Sequence, residues 1–169
     1  MKKSLILDVA RYMHILSSVW VFILAAVILV DVFGRILFLQ PLPGTKEILQ
    51  NSVIAITFLQ IPLAIYSGSM LRTTLVVDLL PASARRLLRT IAYVLGLALF
   101  AAIAYASLPE ALDAYRIGEY EGEGSLRIVT WPVKILIVIT GVFAAVAYTM
   151  LMIADWRGEL PEHESLINY

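Results

Sequence analysis

Asp31 and Arg35 stand one helical turn apart inside an apolar stretch, LVDVFGRILF, and are the first residues whose chemistry needs a reason. A carboxylate and a guanidinium at i and i+4 share one helix face and can pair, and charge in a dehydrated environment is costly enough that pairing is the expected state. Glu47 and Gln50 follow across a short connection containing Pro41, Pro43 and Gly44, so they arrive at similar depth and Arg35 is expected between two carboxylates. At 100° per residue Glu47, Gln50 and Thr57 fall within an arc of about 80°, and Gln60 continues the stripe on a slant. Such a face avoids lipid either by hydrogen bonding between helices of the chain or by forming a polar seam against another subunit. Arg72, at the far end of the same apolar run, completes the polar set.

Few other chemistries are open to this chain. It has no cysteine, which removes disulfides, thiolate metal sites and iron–sulfur clusters. Bis-histidine haem ligation needs two histidines on facing helices, whereas the chain holds His14 near a helix end and His163 in a polar tail. No nucleophile–base pair, phosphate loop or metal-ligand spacing occurs, so no cofactor or metal is expected and the chain reads as non-enzymatic. A small proton-coupled exporter needs a carboxylate near mid-membrane, and Asp31 and Glu47 both lie at one end. Formal net charge is zero, without a basic stripe for nucleic acid.

The elements that hold these residues are set by hydropathy. The chain of 169 residues is 60% hydrophobic and 15% charged, with a mean hydropathy of +0.86, far above soluble domains. Residues 12–30, 48–71, 90–109 and 135–154 are uncharged. Each run is long enough to span the bilayer, since roughly 20 helical residues cross ~30 Å of hydrocarbon. A closed barrel would show alternating segments of about ten residues, which these are not. The expectation is an all-α membrane protein: a single domain over residues 1–169, with helices near 12–39, 47–71, 86–109 and 131–156 and a polar tail at 157–169. A short interfacial amphipathic helix is expected between the second and third, where Leu75, Val76, Leu79 and Leu80 recur at helical spacing; the same residues also suit an extended end of helix two. Asp8 and Arg11 interrupt the apolar stretch after Lys2 and Lys3, so the start does not read as a cleaved signal peptide.

Lys2, Lys3, Arg11, Arg72, Arg85, Arg86, Arg89 and Arg157 fall on one side of the membrane, and Arg35, Lys46, Arg116, Arg127 and Lys134 on the other. That excess places both termini in the cytoplasm. The acidic, glycine-containing segment 110–130 reads as a flexible solvated loop. Ala98, Ala102 and Ala106, and likewise Gly141 and Ala145, repeat small residues every fourth position, a pattern that lets membrane helices approach closely. Trp20 lies within helix one, while Trp131 and Trp156 bracket helix four as interface anchors.

In order and spacing, these residues resemble the small membrane subunit of tripartite ATP-independent periplasmic (TRAP) transporters. Helix one ends in DVFGR; PLPGTKEIL opens helix two; QIPLAIYSGSMLRTTLVVDLLP and an Arg-rich start to helix three follow; and WPVK begins helix four. The likeness covers nearly the whole chain. It implies a non-catalytic small permease subunit in the bacterial inner membrane, multi-pass, beside a large membrane transport subunit that moves an organic anion by an elevator mechanism on a sodium gradient. A periplasmic substrate-binding protein would deliver the solute, and the small subunit would widen the fixed scaffold. One departure is visible: the family often carries a histidine shortly before the arginine at the end of helix two, and Met70 stands there, before Arg72. A role tied to that histidine does not carry over. The alternative from another class is a self-associating small exporter or channel.

Overall fold

The computed structural model describes residues 2–40, 42–66, 81–122 and 127–158. They form helices α1 (Lys2–Phe38), α2 (Thr45–Tyr66), α3 (Ala82–Ile117) and α4 (Trp131–Trp156), with a small antiparallel ladder, β1 (Tyr120–Glu121) and β2 (Ile128–Val129), between α3 and α4. All four helices are long and apolar enough to cross a membrane. Apolar runs become helices because in hydrocarbon every backbone N–H and C=O must find its partner within its own segment.

Two helices outrun the spans their hydropathy marks. α1 has 37 residues, so at 1.5 Å per residue it is roughly 55 Å long, well beyond ~30 Å of hydrocarbon. It begins long before residue 12, and Asp8 and Arg11 sit exposed on its projecting end. α3 passes straight through Pro109 to Ile117, where a solvated loop was expected. A helical proline loses one hydrogen bond and disturbs one turn. The turns beyond it bury Ala111 and Ala114 and set Tyr115 edge-on to Trp131, with ring centroids 5.1 Å apart. Gly118 then ends α3 in the left-handed conformation at φ 62°, and the Glu119 N–H donates back to the Ala114 carbonyl at 2.9 Å. The expected interfacial helix falls largely in residues 67–80, outside the described residues, as does Arg72; Arg85, Arg86 and Arg89 belong to the first turns of α3 itself.

The principal packing pairs are α1 with α2, α2 with α4, and α4 with α3, so the helices stand in the order α1–α2–α4–α3. α1 and α3 flank the row. Only 17% of the most apolar window of α1 is buried, against 33% for α4, as this order requires. One end of the row carries the α1–α2 turn and the β ladder and is called here the hairpin end; the opposite end holds Ala10, Tyr66, Arg89 and Asp155. The core lies toward that opposite end, where Ala10, Ile65, Tyr66, Tyr93, Phe100, Ala147, Tyr148 and Leu151 join residues of all four helices.

Close approach of α3 and α4 depends on small residues, though not on the alanines first singled out. Ala98, Ala102 and Ala106 are exposed and face away from α4. The seam instead uses Gly96, over which the Tyr148 ring lies so closely that a Cβ would stand 2.6 Å from a ring carbon, and Gly141, whose Cβ would meet that of Ala104 at 3.3 Å. A stacked pair, Phe100 and Tyr148 at 5.9 Å, fills the space beside Gly96.

Candidate functional site

The hairpin end is organised around Asp31. Its side chain is almost fully buried and accepts three hydrogen bonds: from Arg35 Nε at 2.8 Å, from the Leu42 backbone N–H at 2.8 Å and from Thr45 Oγ1 at 3.3 Å. One carboxylate therefore ties the end of α1 to the turn and to the first residue of α2. The local sequence makes this possible. Leu39 takes a left-handed φ of 54° to end α1, and Gly44 a φ of 80°, which suits the third position of a type II turn behind Pro43. The turn thus folds back over Asp31 within a few residues. Thr45 Oγ1 also lies 3.0 Å from the Leu42 carbonyl, so its one proton is shared between two acceptors.

Glu47 does not join this cluster. Among the described residues Arg35 pairs with Asp31 alone, and its side chain remains 59% exposed. Glu47 lies in the first turn of α2, half-buried, with its backbone carbonyl accepting from Asn51 Nδ2 at 3.0 Å. A carboxylate in that turn faces the positive end of the helix dipole, which stabilises it without a cationic partner. Gln50 is exposed. Deeper in the row, α1 and α2 are joined by Trp20 Nε1, which donates to Ser52 Oγ at 3.1 Å.

A second polar group at the same end links α3, the ladder and α4. Lys134 Nζ donates to Glu110 Oε1 at 2.9 Å and to Glu119 Oε2 at 2.7 Å, while the Thr130 N–H donates to the Glu119 carbonyl at 3.1 Å. Arg127 lies 4.6 Å from the centroid of the Tyr120 ring. The described parts of the segment read as a loose loop, residues 110–122 and 127–130, are therefore pinned; residues 123–126 lie outside the described residues. A cleft of about 160 Å³ opens between α2, α3 and α4, with Gln50, Asn51, Ser107, Glu110, Thr130 and Lys134 in its walls.

The opposite end holds a feature that sequence reasoning missed. Asp155, on the last turn of α4, is 4% exposed at its side chain, and its Oδ1 lies 3.5 Å from Arg89 Nε on α3. Beside it Trp156 Nε1 donates to Thr90 Oγ1 at 3.2 Å. An acid immediately after an apolar run was the available signal. Its partner lies far away in the chain, so spacing offers no hint.

These arrangements fasten helices at both ends of the row, and the apolar middle faces outward: Phe22, Ile23, Phe33 and Leu99 are all exposed. A groove of about 650 Å³ between α3 and α4 is likewise apolar, lined by Leu97, Ala101, Tyr105, Val142 and Met150 among others. Large apolar side chains exposed along membrane-length helices are covered by lipid or by other apolar helices, and the molecule is a multi-pass helical membrane protein. The family model for the DctQ component of tripartite ATP-independent periplasmic transporters matches residues 24–158, and the chain belongs to that family. A comparison with curated proteins found no match.

Proposed function

We propose that this chain is the non-catalytic small permease subunit of a sodium-coupled TRAP transporter for a carboxylate-type organic anion, and that it braces the large elevator-type transport subunit in the bacterial inner membrane. Both termini lie in the cytoplasm on this reading, and the hairpin end faces the periplasm, where a substrate-binding protein docks. The observation that carries it is the placement of charge. Among the described residues, the helical middles spanning 12–30, 48–66, 90–109 and 135–154 contain no Asp, Glu, Lys or Arg, and the charged pairs cluster beyond them, at the two ends. A chain with polar clamps at its ends and apolar spans between them is built to stand still in lipid while another subunit carries the solute. The Asp31–Arg35 pair locks the first hairpin and supports the subunit contact in this picture, and the acidic segment from Glu110 lies near the docked binding protein.

Reconstitution tests this directly. Vesicles holding this chain, the large subunit and the binding protein take up solute when a sodium gradient is imposed, and omitting the small subunit abolishes uptake. Arg35→Ala lowers recovery of the complex or its uptake. Solute or ion movement by this chain alone would overturn the reading in favour of a self-associating exporter or channel.

A further inference from the structure

The exposed side of α2 differs from every other outward face of the row. At 100° per residue, Lys46, Gln50, Val53, Thr57, Gln60 and Ala64 fall on one side of the helix, and Lys46, Gln50, Val53 and Thr57 are exposed while Gln60 and Ala64 are half-buried. α1 meets its surroundings with Phe22, Ile23 and Phe33. α2 meets them with two carboxamides and a hydroxyl. Thr57 is satisfied internally, donating to the Val53 carbonyl at 2.8 Å. Among the described residues, the Gln60 carboxamide makes no hydrogen bond, although it has two donors and two lone pairs.

Depth makes this costly. Gln60 lies roughly 22 Å along the axis from Thr45 at 1.5 Å per residue, and the charged side chains of α2, Lys46 and Glu47, are confined to its first turn. The carboxamide is thus well inside the hydrocarbon, where lipid offers it nothing. A protein surface does.

We propose that this face of α2, from Lys46 to Gln60, is where a transmembrane helix of the large partner subunit docks, bringing a hydrogen-bonding side chain to Gln60. The inference rests on the reading that the chain works beside such a subunit. A second copy of the chain fits the face less well: a two-fold contact between parallel α2 helices would set Lys46 against its own copy, like charge against like. A heterologous partner has no such conflict. The position of α2 inside the row, between α1 and α4, puts this face on the broad side of the molecule, so a docked helix reaches more than one element.

The test is photo-crosslinking in the co-expressed complex, with the large subunit carrying an affinity tag. Val53 and Thr57 are each replaced by benzoylphenylalanine, and Phe22 and Leu99 serve as lipid-facing controls. Irradiation should join the chain to the tagged large subunit from positions 53 and 57 and from neither control. Gln60→Leu, which suits lipid and preserves the chain's own fold as judged by its melting temperature, should lower the recovered complex about threefold to fifteenfold, the range for one interhelical hydrogen bond in a membrane. Adducts only from Phe22 or Leu99, with the complex intact, would overturn the docking face and leave the proposed function standing. Adducts between two copies of this chain would overturn it in favour of self-association. Failure of the parent chain to recover the large subunit at all would remove the premise, and the docking face with it.

Discussion

Gly96→Ala is the sharpest test of how α3 and α4 fit together. The new methyl carbon would sit 2.6, 2.7 and 2.9 Å from three carbons of the Tyr148 ring, whereas carbon atoms rest at about 3.5–4.0 Å. The ring must retreat by roughly 1 Å. It has little room, because Tyr148 is 5% exposed and stacked on Phe100 at 5.9 Å. Overpacking of this kind costs about 1–3 kcal/mol, and the better helix propensity of alanine returns up to about 1 kcal/mol. With so little room for the ring, the upper part of that range, about 2–3 kcal/mol, applies, and after alanine's gain the net expectation is a loss of about 1–2 kcal/mol, seen as a lower melting temperature of the detergent-purified protein. Ala102→Val, on the outward face of α3, is the control and should leave melting unchanged. Coupling identifies the cause: in a Tyr148→Leu background the same Gly96→Ala change should cost little, because the flexible side chain can move aside. An unaltered or raised melting temperature for Gly96→Ala alone would refute the close seam and the reasoning built on it.

Three further outcomes follow from the polar clamps. Asp31→Asn keeps an acceptor for the Leu42 N–H and Thr45 but weakens the Arg35 bond, and Asp31→Ala removes every acceptor; limited proteolysis of the first hairpin should speed up from parent to Asn to Ala, and equal rates would count against the hub. Arg89→Met leaves the Asp155 carboxylate buried without its cation, so it should destabilise more than the double change Arg89→Met with Asp155→Leu, a ranking that thermal melting checks directly. Lys134→Met releases both Glu110 and Glu119, and hydrogen exchange at the Glu119 and Thr130 amides should quicken while the α1–α2 turn is unaffected.

How much of this was legible in the sequence depends on what kind of signal each feature leaves. Hydropathy marks the four spans because crossing lipid demands an uninterrupted apolar run, and the i, i+4 spacing of Asp31 and Arg35 is realised as a 2.8 Å ion pair. The tight first turn is equally plain in Pro43 and Gly44. Which side of a helix packs inward is not plain. In water the polar face marks the outside, but a membrane helix is apolar on both sides, so Ala98 and Ala102 on the exposed face of α3 look like Ala104 on the buried one. The extension past Pro109 was hidden for another reason: proline and acidic residues read as loop locally, and the burial of Ala111 and Ala114 that outweighs them is a tertiary effect. Glu47 shared depth with Arg35 without meeting it, since depth fixes one coordinate and the rotation of α2 fixes the other.

The neighbour order α1–α2–α4–α3 bears on how the protein is made. A ribosome delivers the first pair of helices before the second, and releases α3 ahead of α4. Yet it is the last-born helix that nestles against the early pair, while its elder sibling is left on the outer flank. On this order the two helix pairs meet chiefly through α2 and α4, so α3 gains its principal contacts only once α4 is in place.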